Sequence, residues 1–200
     1  MPACCPKHLG AEWVYSVDLK DFFPSVSIYK VREALALLGY RTEPSISTIS
    51  LLCCLNGRLV QGAPTSPALS NIVLQNTDYK LAAIADAHDC VFTRYADDIV
   101  FSGRGKVPEI LPAAVKAAVR SDGWVLADRK EELSELPNRL KVHGLLVHGS
   151  RLRLTKGYRN RIRAYRHLVR EGKIAVKDQM KVRGHLNYAS QIEKTEVDDR

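Results

Sequence analysis

Three aspartates stand at places where a side chain could do chemistry. Asp18 closes the run Trp13–Asp18 (WVYSVD), which is short, β-branched and aromatic, as a strand should be. Asp97 and Asp98 sit inside FTRYADDIVFS, between the apolar runs Val91–Tyr95 and Ile99–Phe101. An Asp-Asp pair at a hairpin tip is by itself ordinary turn chemistry, and an Asp at a strand end is commonly a cap. If the two elements are neighbours in one sheet, however, three carboxylates meet. Like charges that close repel, so all three stay ionised only around a cation. Hard oxygen ligands select Mg²⁺, with Mn²⁺ as the alternative. A pair of such ions flanking a phosphate is the clamp that serves phosphoryl transfer.

The elements that must position these acids follow from pattern. Ser27 is placed to cap a helix whose apolar stripe is Ile28, Val31, Leu35 and Leu38, stopped by Gly39. Residues 45–55 read as a second helix, ended by Asn56-Gly57. After Leu59-Val60 comes QGAPTSP, a loop rich in breakers. A long helix is expected over 68–87, then the hairpin with acids at its tip, then a helix over 108–120 and a weak strand over 124–127. Residues 140–147 and 152–154 flank His148-Gly149-Ser150 as another hairpin. Helices over 156–170 and 175–191, split near Gly172, complete the chain. The order predicts an α+β fold with an antiparallel-rich sheet and a helical appendage.

Composition narrows the field. The 200 residues fit one domain, or one with a small addition, and 46% apolar content is enough for a core. The net charge of +8 is uneven. Residues 1–150 hold 16 Lys/Arg and 16 Asp/Glu, whereas 151–200 hold 14 against 6. A basic block of this kind is either a solvated helical face or a polyanion-binding surface, nucleic acid before an acidic membrane. No apolar run has the length of a membrane span or of a signal-peptide core. Cysteines 4, 5, 53, 54 and 90 lack metal-ligand spacing, and their odd number fits reduced thiols and a cytoplasmic setting. Cys53 and Cys54 lie in an apolar run and read as packing residues.

The motifs resemble those of one family. Tyr95-Ala96-Asp97-Asp98 is similar to the YADD box of reverse transcriptases, and Val17–Ser25 (VDLKDFFPS) to their first catalytic motif. Residues 61–67 (QGAPTSP), followed by Leu69-Ser70-Asn71, resemble the motif that shapes the template and nucleotide pocket. Gly144-Leu145-Leu146-Val147 resembles the primer-grip hairpin. Order and spacing agree over roughly residues 8–192, and the wording is most similar to bacterial retron-type enzymes.

The resemblance implies a right-hand polymerase palm over 1–154 and a basic helical thumb over 155–200. It implies RNA-directed DNA synthesis: addition of deoxynucleotides to a primer 3′-hydroxyl by a two-metal mechanism, in the cytoplasm of a bacterium. Asp18 and Asp97 would bind both Mg²⁺ ions, Asp98 would be a weaker third ligand, and the Leu19 carbonyl would complete one shell. Phe23 matches the position that excludes a ribose 2′-hydroxyl, by leaving no room for the extra oxygen. Gln61 would contact the incoming nucleotide, and Gly62 would let backbone approach it closely. Lys130 falls near a lysine that protonates pyrophosphate, with Arg129 adjacent to it. Arg94 is read as supporting the site or the backbone, and His185 as a packing or backbone-bonded residue. On the thumb, Tyr158, Ile162, Tyr165 and Val169 share a helical stripe expected to dock. Arg159, Arg161, Arg163, Arg166 and Arg170 fan over the remaining surface, where guanidinium groups could follow phosphates.

The sequence also departs from the family. Only 17 residues precede Asp18, and the only Lys or Arg among them is Lys7. Val60 stands where retron-type enzymes commonly show proline. A basic fingers region is therefore missing in front of Asp18, for which the alternatives are a split gene with the fingers on a second polypeptide, a truncated reading frame or a degenerate relic. The expected partners are an RNA template, a DNA primer, deoxynucleoside triphosphates and a non-coding RNA or that second polypeptide, with no membrane. Two other functions share these residues. One is template-independent or protein-primed DNA synthesis in phage defence. The other is a catalytically idle fragment that binds nucleic acid.

Overall fold

A computed structural model describes residues 4–194. The elements run β1 (Trp13–Asp18), α1 (Phe22–Ser25), α2 (Ile28–Leu37), α3 (Glu43–Cys53), β2 (Cys54–Leu55), β3 (Arg58–Leu59), α4 (Ser66–Val73) and α5 (Gln75–Ala87). Then follow β4 (Val91–Tyr95), β5 (Asp98–Gly103), α6 (Leu111–Ser121), β6 (Glu132–Glu135), β7 (Lys141–Val142), β8 (Leu145–Leu146), β9 (Arg153–Leu154), α7 (Lys156–Arg170) and α8 (Val176–Glu193). Helices and strands come in runs rather than in strict alternation, as in an α+β fold. Among the described residues no helix is long and apolar enough to cross a membrane, and the described cysteines are all free thiols.

The largest sheet has the order β4–β5–β1–β6. β1 runs antiparallel to β5. The Glu12 N–H donates to the Gly103 carbonyl at 2.9 Å near one end, and the Leu19 N–H donates to the Asp97 carbonyl at 3.0 Å beyond the other. Central position explains composition: Val14, Tyr15 and Val17 of β1 and Ile99, Val100 and Phe101 of β5 are all buried. Strands covered on both faces read as continuous apolar runs.

The chain forms two compact units. One comprises Tyr15–Phe101 and Val107–Glu132. In it α2 packs on α3 and α4, and α5 packs on α6 and β4. The Ser27 hydroxyl accepts the Lys30 N–H at 3.4 Å and caps α2 as its sequence position foretold. Trp124 is buried here, its indole N–H donating to Thr77 Oγ1 at 3.1 Å and its ring lying 3.4 Å beneath the Lys30 ammonium. Burial lowers the pKa of that lysine. Asp122 accepts bonds from Asn76, Thr77 and Lys80 and ties the end of α6 to α5.

Among the described residues, the other unit comprises 4–14, Ser102–Lys106 and 133–194. Its core holds Trp13, Leu140, Val142, Leu145, Val147 and Leu154. The strands β7, β8 and β9 form an antiparallel sheet, and α8 packs on β9 and on α7.

Several elements differ from the sequence reading, each for a local reason. The long helix over 68–87 is two helices interrupted at Leu74, and it begins two residues earlier because Pro67 is tolerated in a first turn. Asn56-Gly57 is not a helix stop but the tip of the β2–β3 hairpin, both residues taking positive φ (51° and 73°). Asn-Gly is the pair such a two-residue turn favours. The strand expected over 140–147 is divided by a second turn of this kind at His143-Gly144, giving β7 and β8. The strand expected over 124–127 is a single bridge between Leu19 and Leu126. β6 has no counterpart in the reading, because Glu-Leu-Ser-Glu at a sheet edge carries no apolar alternation.

Candidate active site

The sequence around Asp18 is held from two sides. The Leu19 N–H reaches Asp97, as above, while the Lys20 N–H donates to the Val125 carbonyl and the Ala127 N–H to the Asp18 carbonyl, both at 2.8 Å. The end of β1 therefore lies between the β4–β5 turn and the segment after Trp124. That turn is tight. Ala96 takes a positive φ of 54°, Asp97 follows it, and Asp98 is already the first residue of β5. The left-handed conformation costs an alanine roughly 1 kcal/mol or more, so surrounding bonds must hold it.

Charges gather here. The Lys130 ammonium lies 2.8 Å from Asp18 Oδ1. Burial raises the Asp97 carboxyl above its ordinary pKa, Asp18 and Asp98 push the same way, and its own backbone N–H and Lys130 pull against them. Lys130 is raised in turn, chiefly by its bond to Asp18. Asp97 and Lys130 thus each feel the other three groups electrostatically. Among the described residues no three acids, imidazoles or thiols converge as a preformed metal cage. The carboxylates of Asp18, Asp97 and Asp98 nevertheless suit a hard divalent cation, since they are hard oxygen donors.

Lys130 is itself delivered by its neighbours. It ends a short 3₁₀ turn, Asp128–Lys130, and the next residue is anchored. Glu131 accepts from the Tyr15 hydroxyl at 3.0 Å and pairs with Lys116 at 2.7 Å. Lys116 holds the Glu131 carboxyl below its usual range, with Tyr15 adding to the effect against the cost of burial. Burial, then the bond to Glu131, raises the Tyr15 phenol.

The other expected residues are placed as follows. Phe23 lies in α1, half-buried, its ring centroid 5.0 Å from that of Phe22. Gln61 and Gly62 lie in the exposed loop before α4. The Ser66 hydroxyl donates to the Val60 carbonyl at 2.8 Å and closes that loop. Gly62 needs glycine for its φ of 91°, and the space where a Cβ would point is open. Gln61 makes no side-chain hydrogen bond among the described residues. Arg94 reaches Asp78, Asn71 and the Ala96 carbonyl. Tyr15, Lys116, Glu131 and Asp78 carried no signal in the sequence, since each acts across a separation that periodicity does not register.

The basic face belongs to the other unit. Thr155 caps α7 by accepting the Tyr158 N–H at 3.4 Å. Ile162 is buried, and Tyr158 and Tyr165 are half-buried against α8. His185 packs between them: its Nδ1 is 2.7 Å from the Tyr158 hydroxyl and its ring stacks on Tyr165. The stripe ends there, because Val169 is 49% exposed rather than docked. Arg159, Arg161, Arg163, Arg166 and Arg170 are all exposed. Of these, Arg166 is paired with Glu193 at 2.9 Å and Arg161 lies over the Tyr158 ring.

Comparisons with known proteins point to one family. Residues 2–148 match the family described as reverse transcriptase (RNA-dependent DNA polymerase). The retron Ec86 reverse transcriptase of Escherichia coli is 31% identical over 188 residues, covering 93% of this chain and 58% of that protein. The retron Mx65 reverse transcriptase of Myxococcus xanthus is 36% identical over 179 residues, covering 80% of this chain and 42% of the relative. The chain thus spans about half the length of these curated relatives. A foamy viral protease-reverse transcriptase, solved with double-stranded DNA, superposes with a TM-score of 0.56 at 18% identity, over 92% of this chain and 29% of that one. With the acids at the end of β1 and in the β4–β5 turn, and with these matches, the chain belongs to the reverse transcriptase family.

Proposed function

We propose that this chain is the palm (residues 1–154) and thumb (155–200) of a retron-type RNA-directed DNA polymerase. The observation that carries the reading is the charge cluster of Asp18, Asp97, Asp98 and Lys130, built where the end of β1 meets the β4–β5 turn. The relatives named above are reverse transcriptases of retrons, and enzymes of this family use divalent metal ions.

Asp18 and Asp97 would hold two Mg²⁺ ions, with Asp98 as a weaker ligand and the Leu19 carbonyl completing a shell. When bound, these ions would neutralise charge at the α-phosphate and favour in-line attack by the primer 3′-hydroxyl. The protein's part is orientation and electrostatics. Phe23 would sit under the incoming sugar and select deoxynucleotides. Gln61 and Gly62 would border the nucleotide. Lys130 stays protonated well above neutral pH and would donate its proton to departing pyrophosphate. The exposed arginines of α7 would follow the phosphates of a primer–template duplex, which accounts for a basic face supported by an aromatic base. The substrates would be deoxynucleoside triphosphates, an RNA template and a DNA primer. A non-coding RNA would complete the assembly in a bacterial cytoplasm.

Primer extension on an RNA template with Mg²⁺, with and without a supplied fingers fragment, tests this. Incorporation that is lost in Asp97→Asn supports it. Extension without template, or from a protein hydroxyl, would move the chain to template-independent or protein-primed synthesis. Salt-sensitive RNA binding with no incorporation under any complementation would leave a binding fragment.

A further inference from the structure

We propose that Arg94 is a positioning residue that sets the metal-binding geometry of the Asp97–Asp98 turn, with Asp78 and Asn71 as its fixed supports. The inference rests on the polymerase reading above and adds to it a residue that acts through its neighbours rather than on substrate.

The guanidinium makes four bonds. Nε and Nη2 donate to the two oxygens of Asp78 at 2.7 and 2.6 Å, and Nη1 donates to Asn71 Oδ1 at 3.1 Å and to the Ala96 carbonyl at 3.0 Å. The side chain is only 7% exposed. Asn71 belongs to α4 and Asp78 to α5, so Arg94 ties the turn to two helices. The carbonyl it grips is that of the one residue in the turn with a left-handed backbone, immediately before Asp97. Asp97 in turn accepts the Leu19 N–H. A strained turn persists only where its surroundings over-determine it. The fork of Arg94 does so: a bidentate carboxylate fixes its plane, and the remaining nitrogen is then aimed at the turn. A lysine could pair with Asp78 but has no planar fork with which to hold Asn71 and the Ala96 carbonyl at once. Residues that orient metal ligands from behind typically matter by about 10–100-fold in affinity or activity.

The test uses Mn²⁺ as probe, titrated into the full chain and followed by the electron paramagnetic resonance of the free ion, beside a thermal melt. Arg94→Lys is expected to weaken Mn²⁺ binding about tenfold, with the melting midpoint held within a few degrees. Where incorporation is measured, kcat should fall while KM for the nucleotide stays near wild type. Adding Ala96→Gly, which relieves the left-handed strain, should recover part of the lost affinity. Wild-type Mn²⁺ affinity in Arg94→Lys overturns the proposal. So does a loss that only tracks the unfolded fraction, which would make Arg94 a general stabiliser. A wild-type chain that neither binds Mn²⁺ nor incorporates nucleotide defeats the polymerase reading itself, and the positioning role falls with it.

Discussion

The unit around the acids and the unit that carries α7 and α8 use charged side chains in opposite ways. Around the acids, cations are consumed internally: Arg94 by Asp78, Lys80 by Asp122, Lys116 by Glu131 and Lys130 by Asp18. The first three of these pairs join separate elements and their value is geometric, whereas Lys130 rests on one of the acids themselves. On α7 and α8 the arginines outnumber their acids, and the ion pairs among the described residues are Arg166 with Glu193 and, just after α7, Lys173 with Glu171. Arg159 and Arg170 have no acidic partner among the described residues. The same residue type therefore fixes a shape in one place and stays available to an outside anion in the other. Net charge reports only the second use, which is why residues 1–150 are neutral on balance yet densely paired.

The contrast breaks most sharply at the acids. Asp97→Asn keeps volume and removes charge, so incorporation should fall on the order of 10²–10³-fold with the fold intact by circular dichroism. Equal activity in the variant would remove the acids from the chemistry. On the basic face the expected effect is smaller and spread out. Replacing Arg159, Arg161 and Arg163 together by Ala should weaken binding to an RNA–DNA duplex at every sequence. It should also lower the slope of log affinity against log salt by about 0.9 for each phosphate that is no longer neutralised. An unchanged slope in a salt titration would return these arginines to a solvated face.

The paired unit should show its pairing in acid. Burial alone would raise Asp122, but bonds from Lys80, Thr77 and Asn76 hold its carboxyl below the ordinary value. A depressed acid stabilises the fold above its unfolded pKa, about 3.9, and that stability is lost as pH falls through the folded value. Asp122→Asn should thus cost about 1–3 kcal/mol at pH 7 and nothing once Asp122 would be protonated. Denaturant melts from pH 7 down to 2 would show the two curves merging; parallel curves would contradict it. The smallest effect belongs to the exposed pair: Glu193→Gln should change stability by about 0–1 kcal/mol. It should slightly raise affinity for the duplex by releasing Arg166, read in the same salt titration.

What the sequence disclosed depended on how local the cause was. Asp18 and the Ala96–Asp98 turn were legible because a strand end and a two-residue turn are short-range objects. The Ser27 cap was legible for the same reason. The Asn56-Gly57 hairpin was visible but mistaken for a helix stop, since the strands on each side are only two residues long. β6 was hidden because an edge strand with polar residues has no period to read. The partners of Arg94 and Lys130 were hidden because Asp78 lies 16 residues away and Asp18 lies 112 away. The end of the α7 stripe was over-extended: helical spacing groups Val169 with Ile162, but only packing decides where a neighbour stops.

The two tryptophans of the chain are divided between the two compact units, Trp13 in one and Trp124 in the other, and both are buried. Each therefore reports its own unit optically, and Trp13→Phe and Trp124→Phe give two single-colour versions of one protein. Lys30 lies directly over the Trp124 ring, and the indole N–H beside it is bonded to Thr77. The emission of Trp124 thus senses any opening of the unit that holds the acids. With a duplex added, that signal would register an event at the acids separately from one on the basic helices.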